Sequence, residues 1–89
     1  MDDQSINYIA GGLLGDLIHI FYIIMSNYLM TGKKGNLFIT DDERYGGSRF
    51  KKGAIGVHNE LYDIIISQKY INRFKVLTVE PTNYINLNS

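Results

Sequence analysis

Eighty-nine residues limit the chain to one domain, and a unit of this size buries only about 60–65% of its unfolded surface, so a partner or a second half would add needed stability. Apolar residues at 45%, spread along most of the chain, exclude a disordered composition. Nine Lys/Arg against nine Asp/Glu exclude the basic footprint of a nucleic-acid binder, and the lack of cysteine excludes a disulfide framework, a zinc-thiolate site and a thiol nucleophile.

The first residues, Met1-Asp2-Asp3-Gln4, are acidic where a secretory leader would be basic, which makes a cytoplasmic location the expectation. Ile6 to Ala10 is short, apolar and β-branched, and it runs into Gly11-Gly12, the pattern of a buried strand that ends in a tight turn. From Leu13 to Met30 the residues Leu13, Leu14, Leu17, Ile18, Ile20, Phe21, Ile23, Ile24 and Met25 cover nearly every side of a helix. That pattern predicts a helix buried on most of its surface. Gly32 supplies its stop, with Lys33 and Lys34 at the negative end of the helix dipole. A membrane span needs about 20 uninterrupted apolar residues, and Asp16, His19, Ser26 and Asn27 interrupt this stretch, so no span is expected.

Leu37 to Thr40 is a second short strand that ends in Asp41-Asp42-Glu43. A polar, glycine-bearing loop follows through Gly46-Gly47 to Lys52-Gly53. Val57, Leu61, Ile64 and Ile65 then recur at helical spacing between polar residues, predicting an amphipathic helix over Ala54 to Gln68. Phe74, Val76 and Thr78 alternate with Lys75, Leu77 and Val79 in a third strand that Pro81 ends, and residues 81–89 read as a polar, irregular tail. Strand, helix, strand, helix, strand implies an α/β fold, a Rossmann-like βαβαβ half-domain over residues 1–80 with a three-stranded parallel sheet. In the order 3-2-1 both helices cover one face and leave the other bare; in the order 2-1-3 the sheet is covered but thin.

In such a sheet the ligand crevice lies beyond the carboxyl ends of the strands, where Gly11, Gly12, Gly15 and Asp16 fall. Read as G-x-G-x-x-G, Ala10 to Gly15 keeps only the last two glycines. The longer string Gly11-Gly12-Leu13-Leu14-Gly15-Asp16-Leu17-Ile18-His19 resembles the opening turn and helix of heptosyltransferase-like glycosyltransferases of GT-B architecture, where a G-x-G-D turn is followed by a histidine three residues on. The resemblance covers Ile6 to about Thr40. It implies that Asp16 is the catalytic general base on an acceptor hydroxyl, and that Gly11, Gly12, Gly15 and His19 bind substrate, a sugar acceptor or nucleotide sugar. The chain departs from the family in the extra residue of Leu13-Leu14 and in lacking the second domain, which in GT-B enzymes binds the donor. It would therefore be incomplete for catalysis on its own and need a second domain, a second polypeptide or self-association.

Simpler roles stand beside these. Asp16 suits an N-cap and His19 a packing residue. Asp41, Asp42 and Glu43 suit a divalent metal, a ribose at Asp41, or a solvated loop. Arg44, Arg49, Lys51 and Lys52 suit a phosphate or a neutralised surface. His58 has no partner that the sequence identifies. The alternatives to the glycosyltransferase reading are a nucleotide- or dinucleotide-binding half-domain that uses Gly12, Gly15 and Asp41, and a small self-associating interaction module. No metal and no resident cofactor are assigned.

Overall fold

The computed structural model describes residues 5–11, 17–42 and 53–87. The chain forms β1 (Ser5–Ala10), α1 (Leu17–Thr31), β2 (Lys34–Ile39), α2 (Gly53–Ile66), β3 (Ile71–Val76) and β4 (Ile85–Asn86). All four strands are parallel, in the order β3-β2-β1-β4. The expected α/β half-domain is present, but its sheet has four strands and not three. The fourth comes from the segment read as an irregular tail: Ile85 pairs with Tyr8 and Asn86 with Ile9, and the Leu87 N–H donates to the Ile9 carbonyl at 2.9 Å. Two paired residues are too few to show a period-two pattern.

Side chains on a strand alternate between faces. Tyr8 and Ala10 of β1, Leu37 and Ile39 of β2, and Phe74 of β3 belong to one core with Ile20 and Ile24 of α1 and Ala54, Val57 and Ile65 of α2. Both helices therefore lie on one face, as right-handed crossovers in the direction β1 to β2 to β3 require. This is the helix placement expected for the order 3-2-1, but the opposite face is not bare, since Ile9 on it is fully buried.

The seating of α1 depends on Gly35 in β2. A Cβ there would stand 2.7 Å from Ile24 Cγ2 and 2.9 Å from Tyr8 Cε2, so only glycine lets these two side chains fill the space between helix and sheet. The Tyr8 ring is fully buried, and its hydroxyl accepts a hydrogen bond from Asn27 Nδ2 at 2.9 Å. α1 ends at Gly32, whose φ of 75° is the left-handed stop and whose N–H donates to the Tyr28 carbonyl at 2.7 Å.

The expectation that α1 is buried on most of its surface is not met. Ile20 and Ile24 are buried, whereas Ile18, Tyr22, Met25, Leu29 and Met30 are exposed. One sheet buries one side of a helix, and no described element covers the outer side.

The face opposite the helices carries Ser5, Asn7, Asn36 and Asn72. Asn36 Nδ2 donates to Ser5 Oγ at 3.1 Å and to Asn7 Oδ1 at 3.0 Å, while Asn36 Oδ1 accepts from Asn72 Nδ2 at 2.8 Å. Asn7 Nδ2 in turn donates to the Asn83 carbonyl at 3.0 Å, just before β4. A chain of amides thus crosses the sheet from β3 to the start of β4. The irregularity in the β2–β3 register between Gly35 and Asn36 places Asn72 beside this chain.

Gly35→Ala is expected to destabilise the fold by about 1–3 kcal/mol, the usual cost of overpacking, measured as a lower urea midpoint with an unchanged m-value. Burial raises the Tyr8 phenol above its ordinary pKa of 10.0, and the hydrogen bond from Asn27 offsets part of that rise. The native state therefore disfavours the phenolate, and this contribution to stability is complete below pH 10.0 and lost as pH rises toward the higher native-state value. Tyr8→Phe should remove part of the alkaline fall in unfolding free energy, the raised Tyr70 phenol accounting for the remainder.

Candidate functional site

In the order β3-β2-β1-β4 the chain winds one way from β1 to β3, and β4 sits on the other side of β1. The carboxyl ends of β1 and β4 therefore flank the point where the winding reverses, the position at which open α/β sheets place a ligand. β1 ends at the buried Ala10, whose carbonyl accepts from the Thr40 N–H at 3.1 Å, and Gly11 follows, also buried. Leu87 lies alongside at the end of β4. Five residues link Gly11 to the start of α1 at Leu17, and Gly12, Gly15 and Asp16 among them lie outside the described residues. Gly11 and His19 are thus the two candidate residues that the structure places. Gly11 caps β1, and His19 is exposed on the first described turn of α1, which sets aside its packing role.

The acids after β2 have a definite local function. Both Asp41 carboxylate oxygens lie 3.0 Å from the Ala54 backbone nitrogen, which donates to them across 13 residues. Gly53, at φ 73°, makes the left-handed entry to α2 that presents this N–H, and a Cβ there would sit 3.4 Å from Asp41 Oδ2. Asp41 is therefore the cap of α2, where a carboxylate satisfies an N-terminal N–H and complements the helix dipole. Asp42 is held by its backbone, its N–H donating to Thr40 Oγ1 at 3.0 Å. Asp41 is thus more than a solvated loop residue: although exposed, its carboxylate is engaged at the start of α2. Among the described residues no three His, Asp or Glu side chains gather as a metal-binding group. Glu43, Arg44, Gly46, Gly47, Arg49, Lys51 and Lys52 lie outside the described residues.

His58 has the partner that the sequence did not reveal. Its ring stacks on Phe74 with centroids 4.7 Å apart, beside Tyr62 at 5.3 Å, and Nε2 is 2.8 Å from the Phe74 carbonyl oxygen. A carbonyl only accepts, so this contact requires the proton on Nε2. His58 ties α2 to β3, where contacts form between residues 16 apart in the chain.

At the opposite, amino end of the sheet an open groove of about 500 Å³ is lined by Ser5, Ile6, Asn7, Lys33, Asn83, Tyr84 and Ile85. Lys33 is the one charged side chain among these, so the groove holds no acid–base pair. The sequence gives no sign of it, because Asn83, Tyr84 and Ile85 in its lining come from the tail segment. Among the described residues no helix is long and apolar enough to cross a membrane. No family model, no curated protein and no solved structure matches the chain.

Asp41→Ala is expected to lower stability by about 0.5–2 kcal/mol, as for other N-cap losses, and Asp41→Asn by less, both read from urea unfolding.

Proposed function

We propose that the chain is a Rossmann-like half-domain that binds a small polar ligand where the winding reverses, at the carboxyl ends of β1 and β4, and that it serves as the acceptor side of a GT-B-like glycosyltransferase. The strand order β3-β2-β1-β4 carries the first part of this reading, because it makes the end of β1 the crevice position of the sheet. The glycosyltransferase part rests on the string Gly11 to His19, with Asp16 as the base on the acceptor hydroxyl. The buried Gly11 suits a close backbone approach to a ligand, and the exposed His19 suits a contact with it. The half-domain supplies an acceptor and a base, and the donor site belongs to a second domain or polypeptide.

The dinucleotide alternative is weaker on one observation: its acid, Asp41, already receives the Ala54 N–H. A ribose at that position would compete with the cap of α2.

An amide NMR titration of the chain with oligosaccharides, nucleotide sugars and NAD tests the proposal. Saturable shifts at Gly11 and Leu87 with a sugar ligand, retained in Asp41→Ala, are expected. Shifts with NAD that vanish in Asp41→Ala would favour the dinucleotide alternative. A well-dispersed spectrum that stays silent across the panel would overturn the ligand-binding reading.

A further inference from the structure

The outer side of α1 has a regular pattern. Ile18, Tyr22, Met25 and Leu29 are spaced four, three and four residues apart, which sets them in one stripe along the helix. They are 81%, 62%, 36% and 74% exposed. The buried Ile20 and Ile24 lie on the opposite side of the same helix. α1 has no Asp, Glu, Lys or Arg along its whole length. The outer side of α2 differs, since Asn59, Glu60 and Asp63 are exposed among its apolar residues.

We infer that α1 is the interface of a homodimer, in which the stripe packs against the same stripe of a second copy running antiparallel about a two-fold axis. The spacing is self-complementary. With the axis between residues 23 and 24, Ile18 meets Leu29 of the second copy and Tyr22 meets Met25, and each contact occurs twice, as a closed two-fold interface requires. Methionine sulfur against a tyrosine ring is a favourable contact. The lack of charge on the helix lets identical surfaces meet without repulsion, which a partner chosen by charge would not need.

The four residues are a third to four-fifths exposed, and His19, Ser26 and Met30 flank them to extend the stripe toward the ~800 Å² per partner of a standard interface. Strands added beyond β4 extend the sheet in the other direction, and right-handed crossovers set their helices on the face that carries Asn36. A membrane surface is disfavoured, because a helix lying in that interface carries a charged face and α1 has none.

Light scattering coupled to size-exclusion chromatography, run over a concentration series, tests the inference. The native chain should elute at twice its 10.2 kDa mass. Ile18→Glu and Leu29→Lys should each weaken dimerisation by on the order of 100-fold, since each change sets two charges against an apolar surface. Both residues are exposed, so the circular dichroism of either variant should match the native chain. The double variant Ile18→Glu/Leu29→Lys should dimerise again, because each glutamate then faces a lysine of the second copy. A native chain that stays at 10.2 kDa at every concentration would overturn the inference. So would a dimer that tolerates both single changes, or a double variant that remains monomeric.

Discussion

The close approach of α1 to the sheet at Gly35 is the contact on which the rest of the structure depends. Ile24 of the helix and Tyr8 of the neighbouring strand occupy the volume that any Cβ at position 35 would need. Asn27, one turn beyond Ile24, closes the arrangement by donating to the Tyr8 hydroxyl. This fixes the rotation of the helix about its axis as well as its distance from the sheet. With Ile20 and Ile24 turned inward, Ile18, Tyr22, Met25 and Leu29 must point outward.

Two different kinds of contact hold the two faces of the sheet. The helix-covered face is an apolar core held by non-directional packing. The other face is crossed by Asn72, Asn36, Asn7 and the Asn83 carbonyl, where each amide has one geometry that satisfies its donors and acceptors. A one-residue slip of β2 against β1 would break these bonds and turn Leu37 and Ile39 out of the core. The amide chain therefore sets register, and it reaches as far as the segment that leads into β4. β4 is what turns a βαβαβ unit into a sheet whose winding reverses at β1.

The order of the first five elements was legible in the sequence, since short β-branched runs alternate with longer stretches of helical period. The boundaries were less so. β2 begins at Lys34 and not at Leu37, because Gly35 and Asn36 read locally as breakers while their neighbours require them in the strand. β3 runs from Ile71 to Val76, ahead of the expected Phe74 to Val79, its early part held by the bulge beside Asn72. β4 was not visible in Tyr84-Ile85-Asn86-Leu87, and the roles of Asp41 and His58 were hidden for the same reason. Their partners, Ala54 and Phe74, are 13 and 16 residues away, and a helix cap or a stacked ring at that distance leaves no periodic signature. A helix with apolar residues on nearly every side, such as α1, suggests burial all round, and only the number of layers packed on it decides whether that burial is found within one chain.

Asp41 bears on function through what it is already doing. A carboxylate that follows β2 and caps α2 makes Asp41 part of the scaffold. The crevice reading and the outward stripe of α1 both require the helix to sit on the sheet through Tyr8, Ile24 and Gly35. The direct test is a nuclear Overhauser spectrum of the chain in solution. Strong cross-peaks are predicted between the Tyr8 ring and the Ile24 γ2-methyl, and between the Tyr8 ring and the Gly35 α-protons. A folded chain lacking both, or showing the Tyr8 ring against Tyr22 or Met25, would contradict the account.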